Sequence, residues 1–423
     1  MGDAAMELIK DTEVRSAYQL LKDSVNHTPL QYDRYLSEKY QATVLLKRED
    51  LQKVRSFKLR GAYYAIKKLP KADLKKGVVC ASAGNHAQGV AYTCHELKTR
   101  AAIFMPTTTP QQKVSQVSFF GGEFADIHLV GDTFDASAAA AKKYCEENGM
   151  TFIDPFNDKN IIAGQGTLAL EMMTDAESEG YKPDFVITAI GGGGLISGVA
   201  SYVKNTSPTT KVIGVEPKGA ASMQAAFEEE QPVKLTEIDK FVDGAAVQRV
   251  GEITYSHSRE YVDELMSVDE GLICSTILDL YGKQAIVVEP AGAMSVAALD
   301  LMKDQIKGKT VICVISGGNN DINRMAEIEE RSLIYEGLKH YFVVNFPQRP
   351  GALKEFVSEV LGEGDDITRF EYTKKSNRGT GPVVIGVLLK KPETLPDLLK
   401  RLKEFDSTYI ELSQHKTLYN LLV

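Results

Sequence analysis

Between about residues 40 and 320 the sequence alternates short apolar runs with stretches of helical periodicity. Six runs predict buried β-strands: Val78–Ser82, Ala101–Met105, Ile127–Val130, Phe185–Ile190, Val212–Val215 and Val311–Ile315. Helices are predicted between them, for example at Ala136–Asn148, Gly166–Asp175 and Ile196–Lys204. This alternation indicates βαβ units, and therefore parallel sheets covered by helices on both faces. About 280 residues exceed what one such sheet needs, so we expect two α/β lobes with a cleft between them.

The pattern changes after residue 330. It predicts, in order, a strand at Lys339–Phe346, a helix at Ala352–Leu361, strands at Ile367–Lys374 and Val383–Leu389, a helix at Leu395–Phe405 and a strand at Tyr409–Leu412. The order βαββαβ is typical of a ferredoxin-like α+β domain, here of about 85 residues. Glu327–Arg331 (EIEER) is a candidate linker before this domain, and equally a candidate solvated helix end.

Composition indicates an ordinary folded, soluble chain in which charge is unevenly distributed. Its 423 residues are 43% hydrophobic and 25% charged, which excludes disordered, collagen-like and membrane-spanning classes. The net charge of −8 gives no support to binding of nucleic acid or of an anionic membrane. Residues 331–423, however, hold 14 Lys and Arg against 12 Asp and Glu. A domain boundary is therefore expected near residue 330.

The cysteines and the amino terminus favour a cytoplasmic protein. Five cysteines form no C-x-x-C pair: Cys80, Cys94, Cys145, Cys274 and Cys313. Four of them lie in apolar stretches, so we expect buried, reduced thiols that serve as packing residues. The first residues, MGDAAMELIKDTEV, lack a basic region followed by an apolar core, so no signal peptide is expected.

The first candidate for chemistry is a lysine in the sequence RSFKLRGA. Lys58 follows Phe57, precedes Leu59 and has Gly61 and Ala62 beyond it. An amine in apolar surroundings loses its proton more readily, which is what Schiff-base chemistry needs. A lysine taken alone is far more often a solvated surface residue, so this motif is weak by itself.

The second candidate is SAGNHAQG, at residues 82–89, directly after the strand VVCAS. Its small residues would let backbone N–H groups and the Ser82 and Asn85 side chains approach an anionic ligand at a helix start. The alternative is an ordinary strand–turn–helix connection in which Ser or Asn caps the helix. His86 is expected to be a hydrogen-bonded structural histidine rather than a base or ligand.

The third candidate is the glycine run Gly191–Gly194, which with Leu195 separates the strand Phe185–Ile190 from a helix. Four glycines expose consecutive N–H groups at a helix start, an arrangement that holds phosphate. The dinucleotide motif G-x-G-x-x-G is not met, and Glu216 is a poor match to its acidic residue. No lysine follows as in nucleotide-hydrolysing P-loops. A small phosphorylated cofactor fits the run better.

A fourth turn, Ser316–Asn319 (SGGN), ends the strand Val311–Ile315 at its carboxyl end, where ligands bind in open α/β sheets. Other chemistries find less support in the sequence. The seven histidines show no metal-ligand spacing, and the G-x-S-x-G motif of hydrolases with a Ser-His-Asp triad is absent.

Taken together, SFKLRGA, SAGNHAQG, GGGGLISG and SGGN, in this order and spacing, resemble the fold-type-II pyridoxal-phosphate enzymes, and within them the threonine dehydratase family. Residues 341–389, with NFPQRPGAL and DDITRFEYTKK, resemble the ACT-like regulatory domain of biosynthetic members, present here in one copy. The resemblance implies a pyridoxal-phosphate core at residues 1–330, whose small lobe, about residues 58–160, is inserted in the large lobe. An ACT-like domain would occupy residues 336–423.

The resemblance also implies the site residues. The cofactor-binding set is Lys58, Phe57, Asn85, Gly191, Gly192, Gly193, Gly194, Leu195, Gly244, Glu289 and Ser316. In it, Lys58 would form the Schiff base, Phe57 would pack near the ring, Asn85 would hydrogen-bond the ring hydroxyl and Ser316 would face the pyridine nitrogen. The glycine run would bind the phosphate. The substrate carboxylate would lie against Ser82, Ala83, Gly84, Asn85 and His86.

The implied activity is threonine ammonia-lyase, the first step of isoleucine biosynthesis. It would convert L-threonine, and L-serine less well, to 2-oxobutanoate and ammonia. Lys58 would remove the Cα proton, with the cofactor as electron sink. A hydroxyl such as that of Ser316 would not hold the pyridine nitrogen protonated, which favours prompt loss of the β-hydroxyl, with the cofactor phosphate as acid.

Three positions depart from relatives of this family. Serine racemases carry a proton-donating serine at the position of Ala83, so racemisation is disfavoured here. Ser222 stands where some relatives have an acid that binds a divalent cation, so no metal is expected. Arg349 stands where many ACT domains have an acid before the P-G turn. The effector residues that the resemblance implies are Asn345, Phe346, Pro350, Gly351 and Leu353.

The implied effectors are isoleucine and valine, the implied assembly is a homotetramer, and no nucleic-acid or membrane partner is expected. One alternative is serine dehydratase or another fold-type-II lyase or β-replacement enzyme, against which the ACT-like domain and Ala83 argue. An alternative from another class is an amino-acid-sensing regulatory protein with an inactive core. The presence of both Lys58 and Ser316 argues against it.

Overall fold

The computed structural model describes residues 7–373 and 379–423, so Lys374, the predicted end of a strand, lies outside the described residues. The chain divides into two compact units, one ending at Ile322 and one beginning at Asn323. This division falls before the position near 330 that charge and pattern indicated. The reason is that EIEER lies inside the helix Met325–Tyr335, whose Glu330 binds Lys339 and Tyr341 of the second unit.

The first unit is built from alternating strands and helices. Its strands are β1 Leu30–Tyr32, β2 Thr43–Arg48, β3 Val78–Ala81, β4 Ala101–Met105, β5 Ala125–Leu129, β6 Thr151–Phe152, β7 Phe185–Ala189, β8 Lys211–Pro217, β9 Glu264–Val268 and β10 Thr310–Ile315. Its helices are α1 Asp11–Leu21, α2 Arg34–Tyr40, α3 Lys58–Lys67, α4 Lys71–Lys76, α5 Asn85–Leu97, α6 Gln111–Gly121, α7 Phe134–Asn148, α8 Lys159–Ser178, α9 Gly194–Thr206, α10 Ser222–Glu228, α11 Glu252–Tyr261, α12 Glu270–Gln284 and α13 Pro290–Ile306.

These strands form two sheets. The larger has the order β1-β2-β10-β7-β8-β9 and is parallel except for β1, which is antiparallel to β2. The smaller has the order β5-β4-β3-β6 and is entirely parallel. The predicted α/β class with parallel sheets is confirmed, and all six predicted strands are present. The pattern missed four strands: β1 and β6, which have three and two residues, β9, which is only half buried, and β2, which is six residues long and buried.

Helix α3, which begins at Lys58, is held by buried charges. The guanidinium of Arg60 is fully buried and binds the carboxylates of Glu49 and Glu171 at 2.8–2.9 Å, each through two N–H groups. Lys47, also fully buried, donates to Glu171 at 2.7 Å. The two cations and two carboxylates balance, and such paired burial is the condition under which charges are tolerated in a core. The cluster joins α3 to α8 and to the end of β2.

The second unit has a single antiparallel sheet. Its elements are α14 Met325–Tyr335, β11 Lys339–Pro347, α15 Ala352–Glu359, β12 Asp366–Tyr372, β13 Thr380–Leu388, α16 Leu395–Phe405, β14 Ile410–Glu411 and α17 Lys416–Leu422. The strand order is β12-β13-β11-β14. From β11 to β14 the elements run βαββαβ, so the predicted ferredoxin-like arrangement is confirmed. Aromatic side chains such as Phe342, Phe346 and Phe356 form its core.

Two further observations concern the cysteines and the length and hydrophobicity of the helices. All five cysteines are buried and free of disulfides, as predicted. Within residues 7–373 and 379–423, no helix combines the length and the apolar character that a membrane span requires.

Candidate active site

Lys58 is the first residue of α3 and lies at the carboxyl end of β10. Just before it, Phe57 donates its backbone N–H to the carbonyl of Ser316 at 3.1 Å, and Ser56 forms a β-bridge with Gly317. The Lys58 Nζ donates to the carbonyl of Pro155 at 2.7 Å and lies 5.5 Å from the centre of the Phe57 ring. Burial lowers the pKa of the Lys58 amine to about 8. The amine is therefore far easier to deprotonate than that of a solvated lysine.

The SAGNHAQG loop follows β3 and opens α5. The N–H of Gly84 donates to the Ser82 hydroxyl at 3.2 Å, and no side chain caps the helix. A Cβ at Gly84 would meet no described atom within 4 Å, whereas one at Gly89 would lie 3.2 Å from the carbonyl oxygen of Lys58. The beginning of the loop, with half-buried Ala83, is thus open, while its end packs α5 against α3. The first-turn N–H groups of α5 are suited to hold a carboxylate.

The amide of Asn85 is held from both ends. Its Nδ2 donates to Glu289 Oε1 at 2.6 Å, and its Oδ1 accepts from the Asn319 Nδ2 at 2.7 Å. Because Asn319 can only donate at that atom, the orientation of the Asn85 amide is fixed, with its second N–H left for a ligand. Glu289 is the N-cap residue of α13 but does not cap it, since its carboxylate turns towards Asn85. Burial raises the pKa of Glu289 to about 7.

His86 is buried in the first turn of α5. One ring nitrogen, Nε2, contacts the carbonyl of Ile153 at 2.9 Å, while Nδ1 has no hydrogen-bond partner within the described ranges. Burial lowers the pKa of His86 to about 3. The ring is therefore neutral and carries its proton on Nε2, because only an N–H can bond a carbonyl. This agrees with the prediction of a hydrogen-bonded structural histidine.

The glycine run follows β7 and opens α9, of which Leu195 is the second residue and is buried. Gly193 has φ of +94°, a conformation that favours glycine. A Cβ at Gly192 would lie 2.1 Å from the Phe156 ring, and one at Gly191 would lie 3.1 Å from the backbone of Gly244 and Ala245. The backbone of the run therefore packs directly against neighbouring segments and leaves no room for side chains at these glycines. Its N–H groups at the start of α9 form a cradle suited to phosphate.

The remaining predicted residues lie beside these loops. Ser316, 2% exposed, directly follows β10, the neighbour of β7 in the sheet. Gly244 lies between the glycine run and Glu289. A Cβ at Gly191 would be 3.1 Å from the Gly244 carbonyl oxygen, and a Cβ at Gly244 would be 3.7 Å from Glu289 Oε1. The structure thus brings the four motifs of the first unit into contact with one another or with the segment 153–157. Sequence inspection missed the role of Asn319, although it lies in the SGGN motif, and the whole of segment 153–157.

The predicted effector residues lie in the second unit, at the end of β11 and the start of α15. Pro350 and Leu353 are exposed, and Gly351 has φ of +86° as the N-cap of α15. Asn345 donates its N–H to Asp406 at 2.8 Å. Phe346 does not fit the prediction, because its side chain is 1% exposed and packs among the aromatic residues of the core. Successive side chains of β11 point to opposite faces of the sheet, and this alternation places the Phe346 side chain on the face that covers the core.

The site combines a phosphate cradle, a deprotonatable lysine and an oriented amide at the carboxyl ends of parallel strands from the two sheets. The chemistry of this donor set fits pyridoxal phosphate, which needs an amine for its aldehyde, N–H groups for its phosphate and a donor for its ring hydroxyl. The fold and the site therefore define a pyridoxal-phosphate enzyme.

Comparison with known proteins gives the same class. Residues 21–317 match the family of pyridoxal-phosphate dependent enzymes, and residues 330–422 match the C-terminal regulatory domain of threonine dehydratase. The chain is 59% identical over 416 residues, 98% of its length, to a biosynthetic L-threonine dehydratase of Lactococcus lactis, all of which is covered. The identity to a biosynthetic L-threonine dehydratase of Staphylococcus aureus is also 59%, over 98% of this chain and 99% of the relative.

Solved structures support the assignment. The processed threonine deaminase isoform 2 of Solanum lycopersicum superimposes with a TM-score of 0.73 at 37% identity, over 78% of this chain and 89% of that one. Serine racemase of Dictyostelium discoideum gives a TM-score of 0.68 at 30% identity, over 74% and 99%. The chain belongs to the pyridoxal-phosphate-dependent enzyme family, and within it to the biosynthetic threonine dehydratases with a C-terminal regulatory domain.

Proposed function

We propose that this protein is a pyridoxal-phosphate-dependent threonine ammonia-lyase that converts L-threonine to 2-oxobutanoate and ammonia, and accepts L-serine less well. The observation that carries the proposal is the meeting of Lys58, the SAGNHAQG loop, the glycine run and Ser316 at the carboxyl ends of β3, β7 and β10, which belong to the two sheets. It is supported by 59% identity over 98% of the chain to enzymes named biosynthetic L-threonine dehydratases. The reaction supplies the first step of isoleucine biosynthesis, in the cytoplasm.

Each part of the site has a proposed task. Lys58 holds the cofactor covalently through its amine, the glycine run holds the phosphate, and Asn85 donates to the ring hydroxyl. When bound, pyridoxal phosphate supplies an electron sink for the charge left on the substrate Cα. The Lys58 amine would take the Cα proton of the substrate, and its pKa of about 8 leaves part of the free amine neutral near pH 7. The N–H groups at the start of α5 hold the substrate carboxylate.

The test is formation of 2-oxobutanoate from L-threonine by the purified protein with added cofactor. Lys58→Ala should lose both this activity and the visible absorption band of the covalently held cofactor. Lys53→Ala removes an exposed lysine five residues away and should keep both. A wild-type protein that binds the cofactor but leaves threonine unchanged, or an active Lys58→Ala, would contradict the proposal.

We further propose that the enzyme is a homotetramer in which isoleucine and valine act through the second unit. Support comes from the match of residues 330–422 to a regulatory domain and from the exposed Leu353 beside the Pro350 turn. Initial rates against threonine concentration, with and without isoleucine, test this. Leu353→Ala should weaken the response to isoleucine, whereas Val357→Ala, equally exposed one turn further along α15, should not. A wild-type rate unmoved by isoleucine would remove the feedback proposal.

A further inference from the structure

The segment 153–157, which follows β6, contacts the three motifs that carry the proposed chemistry. The carbonyl of Ile153 contacts the ring of His86 at 2.9 Å, and the carbonyl of Pro155 accepts from the Lys58 Nζ at 2.7 Å. Its Phe156 ring lies against the glycine run, since a Cβ at Gly192 would fall within 2.1 Å of it. None of the sequence motifs includes this segment, yet it borders all three.

Asp154 gives the segment its shape. Its Oδ1 accepts the backbone N–H of Phe156 at 2.9 Å and that of Asn157 at 2.6 Å, which closes a turn on the aspartate side chain. The turn encloses Pro155, whose ring restricts its own φ. The carbonyl that meets Lys58 is therefore held by the Asp154 side chain.

The Asp154 carboxylate also acts on the amine by its charge. Burial lowers the pKa of Lys58, while the negative charges of Asp154 and Glu289 raise it and so oppose that effect. His86, the other titratable group that interacts with Lys58, is neutral, since its pKa is about 3. Of the two opposing charges, that of Asp154 has the larger effect on the pKa of Lys58.

We propose that Asp154 is a positioning residue for Lys58: it holds the Pro155 carbonyl where that carbonyl receives the amine whenever the amine is free. The inference rests on the proposed function, in which Lys58 must be free each time substrate takes its place. A free lysine side chain has many rotamers, and one short hydrogen bond to a fixed carbonyl selects the rotamer that stays in the site.

The test follows uptake of pyridoxal phosphate by the protein freed of cofactor, read as the visible band at a series of pH values. Asp154→Asn keeps an oxygen for the turn but removes the charge, so the pH midpoint of the uptake rate should fall below that of the wild type. A midpoint lowered by about one pH unit would make uptake about fivefold faster at pH 7 and equal at high pH. Asp154→Ala also loses the turn, so its uptake should be slower even at high pH.

Asp158→Asn is the matched control. Asp158 is also half-buried, and its Oδ1 accepts the backbone N–H groups of Asn160 and Ile161, two and three residues on, just as Asp154 does. Its charge does not contribute to the shift at Lys58. Its uptake profile should match the wild type.

An Asp154→Asn midpoint equal to that of Asp158→Asn would overturn the charge role, and an Asp154→Ala rate equal to wild type at high pH would overturn the positioning role. If Asp154→Ala does not fold, slower uptake by Asp154→Ser at high pH takes its place. Lyase activity on threonine is measured separately. An inactive enzyme with the shifted uptake profile would contradict the proposed function while leaving this inference in place.

Discussion

The two glycine-containing loops of the site look alike in sequence but are surrounded differently. Each follows a parallel strand and opens a helix without a side-chain cap. At Gly84, in the loop before α5, an added Cβ would meet no described atom within 4 Å. At Gly192, before α9, it would lie 2.1 Å from the ring of Phe156. One glycine leaves space for something outside the protein, and the other is required by the protein itself.

This difference separates two tasks. A cofactor that stays bound needs a cradle whose backbone does not move, and the glycine run is enclosed by Phe156, Met223 and Thr254. A substrate that comes and goes needs an opening, which the start of the SAGNHAQG loop provides. We therefore expect substitutions in the glycine run to act on cofactor binding and those around Gly84 to act on substrate binding.

The largest expected effect comes from a substitution that disrupts the phosphate cradle formed by the glycine run. Gly192→Ala should cost about 1–3 kcal/mol of folding stability, because the Phe156 ring must move, and should weaken cofactor affinity at least about tenfold. Urea denaturation and titration of the cofactor-free protein with pyridoxal phosphate measure the two effects. Gly84→Ala is the control: its stability should stay within about 0.5 kcal/mol of wild type while the threonine KM rises. Equal effects at the two glycines would contradict the comparison.

The next effect concerns Asn85, which belongs to the open loop but is rigidly held. The Glu289 carboxylate accepts hydrogen bonds from Asn85 Nδ2 and from the backbone N–H of Asn319. Glu289→Gln has only one acceptor oxygen for these two donors, so the Asn85 amide should lose its fixed orientation. Cofactor affinity should fall about tenfold, the equivalent of one buried hydrogen bond of about 1.4 kcal/mol. Asp33→Asn changes another buried N-cap carboxylate, 1% exposed, and should leave cofactor affinity unchanged. Loss of affinity in both variants would indicate a general packing effect.

A smaller effect should appear in the pH dependence of stability. Burial raises the pKa of Glu289 from an ordinary 4.5 to about 7, with Asp243 contributing. The folded state then holds a proton that the unfolded state has lost, so this group's contribution to stability falls as pH rises from about 4.5 to 7, by at most about 3 kcal/mol. In urea titrations of cofactor-free protein, the free energy of unfolding of Glu289→Gln should rise relative to that of the wild type across this pH window. Above the window the difference between the two should stay constant. A difference independent of pH would disprove this assignment.

The smallest effect sharpens the role of the open loop. Ala83→Ser places a hydroxyl where the resemblance to serine racemases implies a proton donor, so a slow conversion of L-serine to D-serine should appear. The lyase rate should change by no more than about twofold, since Ala83 is only half-buried and the substitution adds a single oxygen atom. Chiral chromatography of the products measures it. The double variant Ala83→Ser with Lys58→Ala should form no D-serine. Formation of D-serine by this double variant would show that racemisation does not depend on Lys58.

The loops could be predicted from sequence because each is local: a strand, a few small residues and a helix in succession. Asn85, Gly192 and Ser316 were singled out in this way. The parallel topology places Gly192 and Ser316 at the ends of neighbouring strands, whereas Asn85 follows a strand of the smaller sheet and meets the SGGN motif through Asn319. Phe346 shows the limit. The motif around it was correctly placed at the end of a strand, but strand alternation directs its ring into the core rather than to an effector.

Sequence by itself determined the α/β class and the βαββαβ order of the second unit, since hydrophobic periodicity is a property of neighbouring residues. The resemblance of its ordered motifs to a known family indicated the cofactor class, which the family match confirms, and predicted that Lys58 holds the cofactor. Only the tertiary structure decided which glycine is enclosed, how the Asn85 amide is turned and what meets the Lys58 amine. Those answers depend on Phe156, Glu289, Asn319 and Pro155, which are distant in sequence from the groups they contact. Their positions follow from packing and hydrogen bonding between elements, which no local pattern records.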